Sequence, residues 1–459
     1  MGRTVAVIGG GISGLAAAWE LSHSGADVSV TVIEGSDRLG GKLRLEDVGG
    51  VRIDVGAESV LARRPEALAL FGQLGLDDLT THPGSGGAAI FSRGRLWPMP
   101  RGTVMGVPSD PESVRGLLTD EEVDRLAREA VGGPVVGDIS VGDLVDARLG
   151  AAVTDRLVEP LLAGVYAGHA RELSAEQAVP ALAAAAHEGR PLLDVARAAA
   201  HATANGSLAG RPVFASLVGG LGTLPGILQR ELVTAGVQVR TGALARGLRR
   251  DGGGWVVSTG PTTDVVEERF DAVVVAVPAA PTSRLLRHVA PAAAAALSTV
   301  EYASMAIVTL ALEGSASTLL DGSGFLVPPT EPLTIKASTF SSVKWPWLGA
   351  AHPDRTFLRA SVGRHREEAT LHRSDDELVA VALADLRAVL GPEVPTPVAT
   401  HVQRWGGGLP QYAVGHRSRL APTRALPSGL ALCGAAYDGV GIPACIASGR
   451  AAARAVLTP

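Results

Sequence analysis

No apolar run in this chain approaches the ~20 residues needed to span a bilayer. The longest, Ala303–Leu312 and Ala178–Ala186, reach about half of that. The start, Met1-Gly2-Arg3-Thr4, lacks the charged region, apolar region and cleavage site of a signal peptide, and Ala6 breaks the myristoylation pattern. A cytoplasmic location is expected, with peripheral contact at a membrane surface left open. Positive charge is not in excess: the net charge is -5, so there is no basic footprint for nucleic acid. Only two cysteines occur, Cys433 and Cys445, in a stretch that reads as strand then helix. They read as buried free thiols and point to neither a disulfide nor a metal. Lysine is limited to Lys42, Lys336 and Lys344, so the basic residues are almost all arginine.

What is present is enough for large cores. The chain has 459 residues, 46% hydrophobic and 19% charged, with a mean hydropathy of +0.23. That length suggests two or three domains, and no fixed-period repeat is visible. Thr4–Gly9 reads as an apolar strand, Ile12–Ser24 as a helix stopped by Gly25, and Val28–Ile33 as a second strand ending at Glu34. This is a β-α-β unit, which builds a parallel sheet. Residues 109–205 are rich in Ala, Leu, Glu and Arg, with helical spacing over Glu121–Ala130, Leu144–Leu162, Ala175–Ala186 and Leu192–Ala202. Plain packed helices are expected there rather than a coiled coil. Sheet character returns from Val213, with a helix over Leu221–Ala235 and strands over Val237–Arg240, Trp255–Ser258 and Arg269–Ala276. The end reads as a strand, Leu430–Cys433, a glycine-rich turn and a helix, Ile442–Leu457.

Gly9, Gly11 and Gly14 form G-x-G-x-x-G after a strand and at the opening of a helix. Gly9 permits the tight turn, Gly11 lets the backbone approach a pyrophosphate, and Gly14 lets the helix pack on the strands. The amides at the helix start, Ile12 and Ser13 among them, and the helix dipole favour the phosphates. Glu34 ends the second strand 20 residues after Gly14. A carboxylate there accepts from ribose hydroxyls and repels a 2′-phosphate, so NADP is disfavoured. Together these features identify a dinucleotide site.

Asp37-Arg38-Leu39-Gly40-Gly41-Lys42 follows Glu34-Gly35. It resembles the R-x-G-G element of two-dinucleotide-binding-domain flavoproteins, the amine oxidase and protoporphyrinogen oxidase group. The resemblance implies FAD, with Arg38 as a fixed cation and Gly40-Gly41 allowing close approach to the pyrophosphate; a solvated turn arginine is the rival reading. Asp271–Pro278 resembles the strand that leads to a flavin-side proline in that group. Gly434 ends a strand, and Gly439-Val440-Gly441 precedes the helix that Ile442 opens. That helix start can face the flavin and stabilise negative charge on its reduced ring; glycine-rich packing is the rival. The FAD-binding parts lie at both ends and in the middle, so the domain is discontinuous.

The resemblance narrows further along the chain. Gly439–Gly449 (GVGIPACIASG) is similar to the G-x-G-I-P-x-C-I segment of the bacterial-type protoporphyrinogen and coproporphyrinogen III oxidase family. Leu161–Gly168 (LLAGVYAG) matches its G-V-Y-A-G-D segment, with His169 in place of the usual Asp, which leaves that position's role open. Leu96–Pro108, residues 337–346 and 404–416 are similar too, so the resemblance covers essentially the whole chain. It implies an α/β fold: a Rossmann-like FAD-binding domain (1–62, 218–290 and 425–459), a mixed α+β substrate domain (63–92, 196–217 and 291–424) and an inserted helical subdomain (93–195). In the Gram-positive branch it implies oxidation of coproporphyrinogen III to coproporphyrin III, with six electrons passing through FAD to O2 as H2O2. The related reaction takes protoporphyrinogen IX. A transient contact with the next enzyme of haem synthesis is a further expectation. The flavin carries the hard chemistry, so no catalytic triad, carboxylate dyad or metal is expected.

The substrate is a large apolar macrocycle with carboxylates at its rim, so an apolar cleft with a few cations is expected. Asp54–Ser59 (DVGAES), with Gly56, Ala57 and Glu58, is placed near flavin and substrate by the resemblance. Arg64, and then Arg63, follow it as candidate propionate contacts, because an arginine fork binds a carboxylate bidentately; solvated side chains are the rival. Tyr166 is the candidate for lining the cleft, with Met105 and Trp97 behind it and core packing as the competing role. Lys344 and Arg404 are weaker carboxylate candidates. Two other functions remain: an amine or polyamine oxidase of the same fold, against which the 4% aromatic content weighs, and a flavoprotein that carries tetrapyrroles without turning them over.

Overall fold

Residues 2–84, 86–205, 209–315 and 320–458 are described by a computed structural model of the chain. The opening strand, Arg3–Ile8, lies between Val28–Ile33 and Ala272–Val275 and is parallel to both. Gln238–Arg240 extends the sheet beyond the second strand, and Leu430–Leu432 closes the other edge, all parallel. The five strands come from three distant parts of the chain, as a discontinuous nucleotide domain requires. Both faces are covered, which is why these strands are continuously apolar. Val5 and Val7 pack against Leu15, Ala17 and Leu228, while Ala6 and Ile8 pack against Trp255, Val257 and Phe270.

The stretch Arg269–Ala276 is not one strand. Residues Val266–Phe270 pair antiparallel with Gly254–Thr259, and only Ala272–Val275 enters the parallel sheet. The chain changes sheets at Asp271, whose carboxylate accepts from the Thr4 amide at 2.7 Å and hydroxyl at 2.9 Å. Local β character was legible there; the switch depends on the neighbouring strands.

The helical region departs from expectation in the same way. Leu144–Leu162 is broken. The helix Val141–Leu149 ends at Gly150, whose φ of 100° few other residues adopt, and a π turn over Thr154–Val158 leads into Glu159–Tyr166. Ala175–Ala186 splits at Val179, because the residue before a proline is driven out of the helical region. These helices bury one apolar cluster that includes Leu144, Leu157, Leu162, Leu182 and Leu193.

The third layer is a seven-stranded sheet in the order Ala399–Pro410, Tyr302–Glu313, Arg355–Val362, Ile335–Phe340, Gly324–Leu326, Ala88–Ser92 and Arg95–Pro98. The last strand falls within the stretch assigned to the helical subdomain. Conversely, helix Pro65–Gln73 buries Leu70 and Phe71 in the core beneath the parallel sheet. Alternation divides the large sheet into two faces. Val308, Leu310, Phe325 and Leu358 pack on helix Asp375–Leu390 through Leu378, Ala382 and Leu386. The opposite face carries Arg359 and turns toward the nucleotide unit, where Arg359 reaches the Gly56 carbonyl at 2.6 Å.

Candidate cofactor and substrate site

The glycine turn is built for close approach. Gly9 has φ +111°, and a Cβ on Gly14 would sit 1.9 Å from the Gly9 carbonyl oxygen, so only glycine allows the first helix to seat on the strand. A Cβ on Gly11, in contrast, would meet nothing within 4 Å. Gly11 therefore borders open space at the start of helix Ile12–Ser22. Neither that helix nor the closing helix Ile442–Leu457, which begins after Gly441, has a side-chain cap. Their first-turn amides and positive dipole ends are thus available to an anion. The two helices pack intimately: a Cβ on Gly449 would lie 2.1 Å from the Ser13 carbonyl oxygen.

The Gly40-Gly41 turn lies across this start, with the Gly40 amide donating to the Gly10 carbonyl at 2.8 Å and a parallel bridge between Gly11 and Gly40. Lys42 is walled in by protein, which lowers its ammonium pKa, yet its side chain keeps a path to solvent. The Glu34 carboxylate faces the turn, accepting from the Gly10 amide at 2.7 Å, while Ser36 holds its other oxygen at 2.8 Å; Gly35 is exposed beside it. Arg38 is held in place rather than solvated. Its guanidinium donates to the carbonyls of Leu39, Leu43 and Gly41 at 2.7–3.3 Å, so it braces the glycine turn.

Gly56 is packed so tightly that a Cβ would be 2.0 Å from the Lys42 carbonyl oxygen, and the Ala57 amide donates to the same oxygen at 3.1 Å. Glu58 is buried between Lys344 and Arg359, each 2.6 Å from one of its oxygens. Burial works to raise its pKa, but the two cations outweigh it and hold the carboxyl at about 2. The trio therefore keeps one net positive charge. Lys344 thus holds the protein's own carboxylate, which takes up much of the capacity expected for substrate.

Tyr166, Met105 and Val440 meet in the apolar cluster of the helical region. Tyr166 stands edge-on to the buried Tyr412, with centroids 5.6 Å apart and planes at 61°. The Tyr412 hydroxyl donates to the Ala435 carbonyl, tying this wall to the glycine-rich turn that follows Gly434. Burial pushes the Tyr166 phenol up to about 12, so it remains neutral. Trp97 abuts the same cluster, but Arg95 covers its ring at 3.5 Å, Gly116 packs against it, and its N–H donates to the Ser92 carbonyl at 2.9 Å. It is a packing residue. Arg64 precedes helix Pro65–Gln73, half-exposed, with Glu66 at 2.6 Å and close enough to Cys445 to act on its thiol. Arg63 reaches Thr203 at 3.4 Å, and its buried Nε has no partner.

The structure does not bring Arg404 to this site. It lies next to Trp405 on one strand, so the two side chains point to opposite faces. Trp405 faces the loop that carries Gly56: its N–H donates to the Val55 carbonyl at 3.0 Å and its ring lies against Gly56. Arg404 faces the other way and binds Asp375 and the carbonyls of Leu371 and Arg373, at the start of helix Asp375–Leu390.

The profile of the flavin containing amine oxidoreductase family matches residues 12–457. The chain belongs to that family. It is similar to the coproporphyrinogen III oxidase of Mycobacterium tuberculosis (strain ATCC 25618 / H37Rv), with 41% identity covering 98% of this chain and 96% of the relative. It is similar to the coproporphyrinogen III oxidase of Bacillus subtilis (strain 168), with 32% identity covering 99% and 98%. A solved structure from Exiguobacterium sp. 255-15 superimposes with a TM-score of 0.85 at 30% identity, covering 99% and 98% of the two chains.

As in this flavoprotein family, the cofactor is FAD, and the residues fit it. The open space over Gly11 and the uncapped start of helix Ile12–Ser22 suit a pyrophosphate, the uncapped start of the closing helix suits negative charge on the flavin, Glu34 suits the ribose hydroxyls, and Lys42 supplies a cation beside the Gly40-Gly41 turn. Sequence reasoning missed Arg359, Trp405, Gln411 and Tyr412. Arg359 left a faint signal as a charge inside an apolar strand, RTFLRASV, and the other three lie in the family-like segment 404–416, which did not single them out. It also left His169 without a role. The structure places its ring between Glu159 at 3.2 Å and Glu367 at 3.3 Å, where it ties the turn after Tyr166 to the large sheet. His365 completes that tie, its amide donating to the Ala167 carbonyl at 2.7 Å. Gln411 adds a bond to the Tyr166 carbonyl at 2.8 Å.

Proposed function

We propose that the protein oxidises coproporphyrinogen III to coproporphyrin III in haem synthesis, with O2 as acceptor. The observation that carries the reading is the apolar cluster that holds Tyr166 and takes Met105 and Val440 against it, Val440 belonging to the glycine-rich turn, with Arg64 preceding helix Pro65–Gln73. The full-length likeness to relatives named coproporphyrinogen III oxidase supports it.

FAD, held by the Gly9–Gly14 turn, Glu34 and the two helix starts, would supply a hydride acceptor for a meso carbon of the substrate that O2 reoxidises with formation of H2O2. The chain's own residues position and shield. The wall of Tyr166, Met105 and Val440 excludes water from the macrocycle face and fixes its plane. Arg64, aided by Arg63, holds a rim propionate and so selects which meso carbon is presented. Burial keeps the Tyr166 phenol neutral, so it offers no phenolate base for the pyrrole N–H protons. The uncapped start of the closing helix favours negative charge on the ring side of the cofactor.

Among the described residues no helix is long and apolar enough to cross a membrane. The proposal places the enzyme in the cytoplasm, where it passes product to the next enzyme by transient contact. The test is a side-by-side assay of the FAD-loaded protein on coproporphyrinogen III and protoporphyrinogen IX. Porphyrin fluorescence should rise faster than autoxidation, with matching H2O2, and faster for the first substrate. Flavin bleaching by amines but by neither porphyrinogen would overturn the reading.

A further inference from the structure

Beside the flavin loop two large apolar side chains stand open to solvent. Leu61 comes three residues after Glu58 and is 39% exposed; Phe214, directly opposite it on the antiparallel strand, is 42% exposed. Their neighbours in the same pairing, Val60 and Ala215, are fully buried, so exposure begins abruptly at this pair. The next outward residue, Val213, is 39% exposed. The strand is not loose: the Ser216 hydroxyl donates to the Glu58 carbonyl at 2.8 Å, which clamps the platform to the loop that carries Gly56.

The surroundings are cationic. The Lys344 ammonium lies 5.8 Å from the Phe214 ring centre and is held there by Glu58. Lys344, Glu58 and Arg359 together leave one net positive charge. Arg63, two residues beyond Leu61, has a buried Nε with no partner. An exposed aromatic with a branched aliphatic partner suits a flat apolar ring, and adjoining cations suit acidic substituents on its edge. Polar substrates would gain nothing from Leu61 and Phe214, and neutral apolar ones nothing from Lys344 and Arg63.

We propose that Leu61 and Phe214 form a platform on which one pyrrole edge of the carboxylate-bearing tetrapyrrole rests, with Arg63 and the net positive charge of the Lys344–Glu58–Arg359 trio facing its rim carboxylates. This rests on the tetrapyrrole reading and adds Phe214 as a specificity-determining residue. Its aromatic face holds the ring edge, so its loss weakens binding without touching the hydride-accepting chemistry.

The experiment compares wild type with Phe214→Ala, Phe214→Leu and Phe214→Trp, all FAD-loaded. Coproporphyrin III is the equilibrium probe, followed by its Soret shift, and coproporphyrinogen III the turnover substrate. Phe214→Ala should weaken coproporphyrin binding and raise KM by about tenfold, leaving kcat and the flavin spectrum unchanged. Phe214→Leu should fall between, and Phe214→Trp should retain wild-type KM. Unchanged KM and probe binding in Phe214→Ala would overturn the platform. So would an unchanged KM with loss of a dimer in sedimentation, or with loss of flotation on anionic vesicles, since the patch would then belong to a second copy or a membrane. Failure of wild type itself to oxidise coproporphyrinogen III would instead reject the tetrapyrrole reading.

Discussion

The Lys344 ammonium sits 2.6 Å from a Glu58 oxygen, and this contact, with Arg359 on the other oxygen, joins the large sheet to the loop that carries Gly56. Glu58→Gln leaves two buried cations facing a neutral amide. Loss of a buried partner of this kind costs about 3–5 kcal/mol, read as a lower urea midpoint at pH 7. The acid branch follows from the sign of the shift. Glu58 is held at about 2, below its ordinary 4.5, so its stabilisation is full above 4.5 and lost as pH falls through about 2. The loss amounts to about 3 kcal/mol, and Glu58→Gln should flatten that part of the stability curve. An unchanged acid limb in the variant would contradict this.

His169 offers the opposite sign. Its bond to Glu159 raises the imidazole pKa above 6.5, against burial, with Glu367 and Glu172 adding to the pull. The charged ring's stabilisation is complete below the ordinary imidazole value and lost as pH rises through the raised one. Thermal melts from pH 6 to 9 should show this decline in wild type. His169→Asn should be less stable by about 1–2 kcal/mol on the acidic side and should lack the decline.

Two glycines three residues apart should behave differently. Gly11→Ala has room for its Cβ and an extended backbone, so the fold should survive; the methyl group then occupies the approach of the pyrophosphate. The purified variant should melt near wild type without added FAD and bind FAD at least about tenfold more weakly. Gly14→Ala places its Cβ 1.9 Å from the Gly9 carbonyl and should reduce soluble yield and melting temperature before any effect on the cofactor is measurable. Equal melting temperatures for the two would refute the distinction.

Tyr166 separates packing from proton transfer. With its phenol at about 12, Tyr166→Phe should keep kcat and the pH–rate profile within about twofold. Tyr166→Ala opens a cavity beside Tyr412 and should lose about 3 kcal/mol of stability, with a higher KM. A collapse of kcat in Tyr166→Phe would make the phenol a participant in the chemistry.

The nucleotide end was legible because its demands are local. Gly9, Gly11 and Gly14 are read from backbone clearance over a few residues, and Glu34 from its position at the end of the next strand. Hydrophobic alternation also disclosed most strands. It did not disclose where Arg269–Ala276 would change sheets, because that choice is made by Thr4, far away in sequence.

Which face a charged side chain of the large sheet takes was not legible, for the same reason. Arg404 and Arg359 are both arginines on strands of one sheet, and nothing in their local sequence distinguishes them. Helix Asp375–Leu390 covers one face and draws Arg404 to it, while the nucleotide unit faces the other and receives Arg359. The amino-acid order by itself determined the turn that takes a dinucleotide and the parallel strands around it, since steric clearance and side-chain period act over neighbours. Which arginine, lysine or aromatic faces that site was decided only when distant strands paired and a helix took one side of the sheet, because a side chain's face is set by what packs against its strand.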